Sequence, residues 1–153
     1  MTPDDGLVVI TGAGTGLGRA LAVEITGQGF AVAGLARSSA ALQETERLCP
    51  PGRFFPKTCD VADGAAVTAT FADLVATHGR LAVLINNAAV YPRRDFLEDG
   101  VDRFLDTVAI NLGGVARCSH AALMNMVKSG RGRILNVATF ADLDPLPCSA
   151  AYP

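Results

Sequence analysis

Short apolar runs alternate along this chain with longer segments in which apolar residues recur at helical spacing. The apolar runs predict buried strands over residues 7–11, 31–36, 54–58, 81–85 and 133–138. Pro56 lies inside the third run and favours an edge position for that strand, because proline removes a donor from the ladder. The segments between the runs predict helices over 17–28, 40–48, 64–77 and 101–129. Strands that alternate with helices predict an α/β fold, in which helices cover both faces of a parallel sheet.

Local residues also predict where the helices begin and end and which faces they bury. Ser38 or Ser39 and Asp63 are candidate N-caps, while Gly29 is a stop signal. The apolar stripe of the first helix is predicted to contain Leu17, Ala20, Leu21 and Ile25. The stripe of the long last helix is predicted to contain Val101, Phe104, Leu105, Val108, Leu112 and Val115, and Gly130 and Gly132 end that helix.

Composition and charge narrow the class of protein. The chain has 153 residues, which suits one domain, and 50% hydrophobic with 18% charged residues is typical of a globular protein. A net charge of −2 gives no reason to expect nucleic acid as a partner, and no apolar run approaches the roughly 18 residues of a membrane span. The start of the chain resembles no secretion signal, and the cysteines lack metal-ligand spacing; they are Cys49, Cys59, Cys118 and Cys148. We therefore expect buried thiols, no metal site and a cytoplasmic protein.

A glycine-rich segment follows the first predicted strand. In an open parallel sheet, ligands bind beyond the carboxyl ends of the strands, where the strand order reverses. The segment there reads Thr11-Gly12-Ala13-Gly14-Thr15-Gly16-Leu17-Gly18. Glycines let the backbone approach a phosphate, and the helix that follows offers free N–H groups and the positive end of its dipole. A plain tight turn is the alternative interpretation of this segment.

The spacing of these glycines carries a family resemblance. Gly12, Gly16 and Gly18 fit the signature T-G-xxx-G-x-G. The commoner G-x-G-x-x-G pattern cannot be placed, because Leu17 and Arg19 stand where its last glycine would fall. The chain therefore resembles the short-chain dehydrogenase/reductase family. The resemblance implies a Rossmann-like doubly wound sheet and a dinucleotide held by the turn residues Gly12, Gly14, Thr15, Gly16, Leu17 and Gly18.

Two further strand ends agree with this resemblance. Asp60 and Val61 follow the third strand, where an aspartate of the family bonds the adenine ring of the cofactor. The fourth strand ends in Asn86-Asn87-Ala88-Ala89, which is similar to the N-N-A-G motif of the family with alanine in place of glycine. The family uses the second asparagine, here Asn87, to tie strands together, and the next residue, here Ala88, lies beside the cofactor ribose.

The resemblance also implies three catalytic residues. Asn111 corresponds to a family asparagine whose backbone carbonyl holds a water in a proton relay. After the fifth strand the family reads N-V-S-S, and here Asn136-Val137-Ala138-Thr139 stands in its place. Thr139 keeps the hydroxyl of the second serine and is expected to polarise the substrate carbonyl. Tyr152, thirteen positions later as in the family, is the expected general acid.

The end of the second strand bears on the cofactor. An NAD enzyme would place an acidic residue there to bond the ribose 2′-hydroxyl, but the strand ends Leu35-Ala36-Arg37-Ser38. Arg37 can form a bidentate, charge-assisted pair of hydrogen bonds with a 2′-phosphate. The alternative interpretation of Arg37 is a solvated surface arginine. We predict NADP(H) as the cofactor, with NAD(H) as the alternative.

The resemblance covers only the amino-terminal part of the sequence that is typical of the family. We expect a single domain over residues 1–153, with five of the seven family strands, that is truncated before the lysine of the family motif Y-xxx-K. The complete protein is expected to pass hydride between NADP(H) and a carbonyl or secondary alcohol. The alternative is a non-catalytic nucleotide-binding fragment or pseudoenzyme, and the 153-residue chain by itself is expected to be inactive. A methyltransferase is disfavoured by the glycine spacing and by the Thr139–Tyr152 pair.

The expected partners follow from the same resemblance. The substrate is a small carbonyl or alcohol of open identity, and neither nucleic acid nor a membrane is expected. The complete protein is expected to be a homodimer or homotetramer, since the family dimerises through its fourth and fifth long helices. Only the fourth is predicted here, so we expect exposed apolar surface, an open sheet edge and aggregation of the purified chain.

Overall fold

The sheet has five parallel strands in the order β3-β2-β1-β4-β5. This is seen in a computed structural model that describes residues 2, 5–93 and 95–139. The strands are β1 (Leu7–Thr11), β2 (Val32–Ala36), β3 (Phe54–Thr58), β4 (Leu81–Asn86) and β5 (Arg133–Asn136). In the register, Val9 of β1 lies opposite Ala33 of β2 on one side and Leu84 of β4 on the other. The Rossmann-like α/β fold is confirmed, and β3 is an edge strand of the described sheet, as Pro56 predicts.

Helices connect the strands and cover both faces of the sheet. They are α1 (Gly16–Gly27), α2 (Ser39–Leu48), α3 (Gly64–His78), α4 (Phe96–Val108) and α5 (Gly114–Ser129), with a π-helical turn at Ala109–Gly113 between the last two. Alternate residues of β1 face opposite sides, as the period of a strand requires. Leu7 and Val9 belong to the core cluster that includes α3 and α5, whereas Val8 and Ile10 belong to the cluster that includes α1 and α2.

The buried face of α1 differs from the predicted stripe. Leu21 and Ile25 pack against the core, but Leu17 is 54% exposed and Ala20 is exposed as well. The fully buried positions of this helix are Gly18, Ala22 and Thr26. Small side chains let α1 approach the sheet closely, and the Thr26 hydroxyl is satisfied by donating to the Ala22 carbonyl at 2.7 Å. Apolar periodicity missed this face because it is built from small residues.

The predicted helix over residues 101–129 is helical throughout, but it contains a π-helical turn between α4 and α5. Gly100, with φ 74° and ψ 177°, lies just before the predicted start and interrupts α4 there. The Asn111 side chain exchanges two hydrogen bonds of 2.9 Å with the backbone N–H and carbonyl of Val90. The Arg117 guanidinium donates to the Ala109 carbonyl at 3.0 Å, eight residues back. These contacts hold the wider turn in place of a regular helical ladder.

The predicted apolar stripe of this long segment is only partly buried, because Phe104, Val108 and Val115 are half-buried and the other three residues are exposed. Val101, Leu105 and Leu112 are 59%, 54% and 68% exposed. Instead, α5 buries small or flexible residues against β4 and α3, namely Gly114, Cys118, Ala122 and Met126. The exposed residues of the stripe form part of the exposed apolar surface that we expected, and Leu135 of β5, which is 49% exposed, adds apolar surface on the opposite face of the sheet.

Other sequence expectations concern membranes and cysteines. None of the helices in the described ranges is both long and apolar enough to cross a membrane. Cys49, Cys59 and Cys118 are buried free thiols, as predicted, whereas Cys148 lies outside the described residues. Burial raises the pKa of Cys118 to about 12, and the neighbouring Cys59 thiol acts in the same direction.

Candidate functional site

A cleft of about 490 Å³ lies over the carboxyl ends of the strands, where β1 separates β2 from β4. Almost all of the predicted cofactor residues line it, namely Gly12, Gly14, Thr15, Gly16, Leu17, Arg37, Asp60, Val61, Asn87 and Ala88. Gly18 lies behind this lining, where it is buried. Residues that are up to 76 positions apart in the sequence therefore converge on one concave surface at the switch point of the sheet.

The start of α1 faces this cleft without a side-chain cap. Thr15 has the extended backbone of an N-cap residue, with φ −150°, but its side chain makes no capping hydrogen bond. The first turn of α1 also contains no acidic residue. The first backbone N–H groups of the helix therefore lack a side-chain acceptor, and the positive end of the helix dipole points at the same place. Both features favour an anion at this position.

Glycines allow the turn before α1 to lie against the segment after β4. Gly12 has φ +69°, and a Cβ there would lie 2.9 Å from both the Ala88 Cα and the Asn87 Nδ2. A Cβ on Gly18 would overlap the carbonyl oxygen of Gly12. Gly16 has φ +52°, and no heavy atom lies within 4 Å of its ideal Cβ position. A phosphate can therefore approach the backbone at Gly16 without meeting a side chain.

An arginine that sequence reasoning missed holds this turn against α2. The Arg19 guanidinium donates to the Gly14 carbonyl from Nε at 3.0 Å and from Nη2 at 2.5 Å. Nη2 also lies 2.8 Å from the Glu44 carboxylate, and Nε lies 3.1 Å from the Thr45 hydroxyl. The Thr45 hydroxyl in turn bonds the Ala13 carbonyl at 3.0 Å. On sequence alone Arg19 is one more charged helix residue, because its partners lie 25 and 26 positions away.

The two asparagines after β4 are both tied into the sheet. Asn87 Nδ2 donates to the Thr11 carbonyl at 3.0 Å, and its backbone N–H donates to the Thr11 hydroxyl at 3.0 Å. Asn87 therefore joins the ends of β1 and β4. Asn86 Nδ2 donates to Ser119 Oγ at 3.0 Å and to Asn136 Oδ1 at 2.9 Å, which links β4 to α5 and β5.

The charges at the rim of the cleft are distributed unevenly. Arg37 is exposed and forms no ion pair with any residue in the described ranges. Among the described lining residues, the one carboxylate belongs to Asp60, whose Oδ1 accepts from the Ala62 N–H at 2.9 Å. The adjacent Cys59 thiol has a raised pKa, chiefly because of burial and further because of the Asp60 and Asp63 charges. Among the described residues, the site thus presents one cation without an ion pair at the end of β2 and one carboxylate after β3.

A family model described as short chain dehydrogenase matches residues 6–153. The chain belongs to the short-chain dehydrogenase family. It is 38% identical over 140 residues to the short-chain reductase protein NovJ of Streptomyces niveus, covering 90% of this chain and 53% of that protein. It is 33% identical over 140 residues to meso-2,3-butanediol dehydrogenase of Serratia marcescens, covering 92% of this chain and 55% of that protein. The chain therefore spans about half the length of these relatives.

The fold of this chain is similar to that of a solved short-chain oxidoreductase. The crystal structure of a metagenomic short-chain oxidoreductase in complex with NADP superposes with a TM-score of 0.89 at 29% identity. The match covers 96% of this chain and 68% of that one. The fold from β1 to β5 is accordingly that of a short-chain dehydrogenase.

Two of the three residues predicted to be catalytic in this short-chain dehydrogenase are described, namely Asn111 and Thr139, and neither lines the cleft. Asn111 lies in the π-helical turn, and its side chain is pinned to Val90, which lines the cleft together with Ile110. Thr139 lies three residues beyond β5 and is partly buried, but it does not line the cleft. Tyr152 lies outside the described residues. A π-helical turn beside a cleft is frequent at functional sites, and it is the structural feature that distinguishes Asn111.

Proposed function

We propose that this chain contains the cofactor-binding part of an NADP(H)-dependent oxidoreductase that interconverts a carbonyl and a secondary alcohol. The observation that carries the proposal is the cleft that is lined both by the uncapped start of α1 and by Arg37, which forms no ion pair with the described residues. Membership of the short-chain dehydrogenase family supports the reaction class. The NADP in the related metagenomic oxidoreductase supports the choice of cofactor.

The residues of the cleft fit a phosphorylated dinucleotide. The pyrophosphate would lie against the Gly16 backbone, where no side chain intervenes and the helix amides lack an acceptor. Arg37 would pair with the 2′-phosphate of the adenosine ribose, and no described carboxylate at the end of β2 opposes that charge. Asp60, which lines the same cleft, would accept a hydrogen bond from the adenine amine. Asn87 and Ala88 form the wall on which the second ribose would lie.

The proposed chemistry assigns separate tasks to the chain's own side chains. A bound nicotinamide supplies or accepts the hydride. The Thr139 hydroxyl donates a hydrogen bond to the substrate oxygen, and the Tyr152 phenol exchanges a proton with it as general acid or base. An unperturbed phenol has a pKa of about 10, so a nearby cation is needed to lower it toward neutral pH. The Asn111 backbone supports the proton relay, and its pinned side chain fixes the position of that backbone.

Cofactor affinity tests this proposal directly. We would measure the Kd of NADPH and of NADH for the wild-type chain, for Arg37→Gln and for Arg47→Gln. Arg47 lies in the last turn of α2, is exposed and does not line the cleft, so its variant is a control with the same charge change. Arg37→Gln is expected to weaken NADPH binding about tenfold, because it removes one charge-assisted pair, and to leave NADH binding almost unchanged.

The outcomes separate the parts of the proposal. Equal affinity for NADPH and NADH in the wild type, or no effect of Arg37→Gln, would contradict the preference for NADP(H). Failure to bind either dinucleotide would contradict the cofactor site itself. Binding without oxidation of NADPH across a panel of ketones and aldehydes is the result expected for the 153-residue chain, and oxidation of NADPH would contradict that expectation.

The cellular context of the complete protein is part of the same proposal. We propose a cytoplasmic enzyme with a small carbonyl or alcohol substrate that assembles as a homodimer or homotetramer. The exposed apolar residues of α4 and of the π-helical turn, such as Leu105 and Leu112, are available to such an assembly.

A further inference from the structure

A second concave site lies at the opposite end of the sheet from the cleft. It has a volume of about 270 Å³ and is lined by Asp5, Arg80, Ala82, Arg131, Gly132 and Arg133. Arg80 directly precedes β4, while Arg131 and Gly132 form the turn between α5 and β5. The lining therefore contains three guanidinium groups and one carboxylate. We call this site the amino-end pocket, because it lies at the amino ends of β4 and β5.

Asp5, which supplies the described carboxylate of the amino-end pocket, interacts with Thr2 and with two arginines. Asp5 Oδ2 accepts from the Thr2 backbone N–H at 2.7 Å. Only Oδ1 then faces the arginines, and it lies 3.6 Å from Arg80 Nη2 and 3.3 Å from Arg131 Nη1. Arg133 forms no ion pair with any residue of the described ranges. One carboxylate oxygen thus serves two guanidinium groups, and the Arg133 guanidinium has no carboxylate partner among the described residues.

The shortage of hydrogen-bond acceptors for the three arginines is clearest at Arg80. Its Nη2 is buried and makes no hydrogen bond with any described residue, although it is a strong, permanently charged donor. A buried charged donor without an acceptor is costly, so native proteins satisfy such groups with a partner or a ligand. The pKa of Asp5 is lowered, first by its hydrogen bond to the Thr2 backbone and further by the Arg131 charge. The described groups of the pocket therefore carry three positive charges and one negative charge at neutral pH.

We propose that the amino-end pocket binds a phosphate group, either free phosphate or a small phosphate monoester. A phosphate dianion matches the excess of two positive charges and offers several acceptor oxygens in a geometry that guanidinium groups bind in pairs. A volume of about 270 Å³ exceeds several times the roughly 30 Å³ that one water occupies, so a tetrahedral oxyanion fits. The bound phosphate pairs with the exposed Arg131 and Arg133 guanidinium groups, so that the Asp5 carboxylate is left to Arg80.

Titration of the isotope-labelled chain with inorganic phosphate, followed by amide NMR at constant ionic strength, tests this site. Saturable shifts are expected at the amides of residues 80–82 and 131–133. The Arg131 side chain is 67% exposed, so Arg131→Gln should fold normally and weaken phosphate binding about tenfold. Asp5→Asn keeps an acceptor for the Thr2 amide but removes the competing charge, so it should strengthen binding about fivefold.

Control titrations separate this site from the cofactor cleft. Arg37→Gln should leave the shifts at 80–82 and 131–133 unchanged, whether or not the chain binds a dinucleotide. Glycerol 3-phosphate serves as the monoester, and tighter binding than inorganic phosphate would identify an organic phosphate as the ligand; equal affinity would identify the free ion. The proposal is overturned if the shifts are confined to the Gly12–Gly18 turn. It is also overturned if chloride produces the same shifts, or if Asp5→Asn weakens phosphate binding.

Discussion

Two helices begin at the same edge of the sheet in contrasting ways. α3 follows β3 and begins at Gly64, and Asp63 accepts hydrogen bonds from the Ala65 and Ala66 amides at 2.9 and 3.1 Å. α1 follows β1 and begins at Gly16, but its N-cap residue Thr15 makes no such bond. A good N-cap stabilises a helix by about 1 kcal/mol. The difference teaches that a side chain satisfies the first amides of α3, whereas the first amides of α1 have no capping side chain.

The start of α1 is stabilised by distant contacts instead of a local cap. Arg19 and Thr45 hold the carbonyls of Gly14 and Ala13, and Asn87 bonds the Thr11 carbonyl from the other side. The turn is therefore fixed from two directions, while the first amides of α1 have no capping side chain. Such preorganisation lowers the entropic cost of binding a phosphate.

The largest effect on this comparison is expected from Gly18→Ala. The new Cβ would overlap the Gly12 carbonyl oxygen and lie 2.6 Å from Asn87 Nδ2, so the turn must move. We expect a loss of about 3 kcal/mol in the free energy of unfolding, measured by urea denaturation. Gly27→Ala, on the same helix, is the control, because nothing lies within 4 Å of its ideal Cβ. Equal losses in the two variants would show that the close approach at Gly18 is unimportant.

Thr15→Asp would make the start of α1 resemble that of α3. The carboxylate can cap the first amides, so thermal stability should stay the same or rise. The same carboxylate competes with and repels the pyrophosphate, and we expect the Kd of NADPH to rise at least about tenfold. Calorimetric titration measures this change, with Thr15→Ser as the uncharged control. Unchanged affinity for NADPH would mean that these amides do not receive the phosphates.

Asp63→Ala is expected to lower the stability of the protein without changing its affinity for NADPH, and this effect is smaller than the two above. The variant removes the acceptor for the Ala65 and Ala66 amides and should cost about 1 kcal/mol of unfolding free energy. Asp63 does not line the cleft, so NADPH affinity should not change. Asp63→Ser, which retains a capping oxygen, should recover most of the stability. If NADPH binding weakened as much as stability, the two helix starts would not be independent.

The smallest effect is expected at Cys59, which lines the cleft beside the start of α3. Burial raises the pKa of its thiol, and the Asp60 and Asp63 charges raise the pKa further. Because the thiolate is the reactive form, alkylation by iodoacetamide at pH 8 should be much slower than in the unfolded chain and should accelerate as the pH rises. Asp63→Asn should increase the rate slightly at each pH. Mass spectrometry resolves the labelled site, and rapid labelling at pH 7 would contradict the raised pKa.

Much of the fold was accessible from the sequence because the responsible interactions are local. Five apolar runs predicted the five strands to within about two residues at each end. Ser38 and Asp63 act as the predicted N-caps, since each side chain bonds an amide two or three residues ahead. The glycine spacing after β1 also identified the family, because a tight turn with a close backbone approach tolerates few other residues. The roles of individual site residues stay predictions.

What the tertiary structure decided depends on residues far apart in the sequence. Asn111 meets the Val90 backbone across 21 positions and helps to convert a predicted helix into a π-helical turn. Arg19 reaches Thr45 across 26 positions, and Asn87 reaches Thr11 across 76. Apolar periodicity cannot detect such pairs, because each partner alone is an ordinary polar residue. The sequence therefore determined the strands, the caps and the family by local chemistry, and packing alone decided which polar groups were brought together.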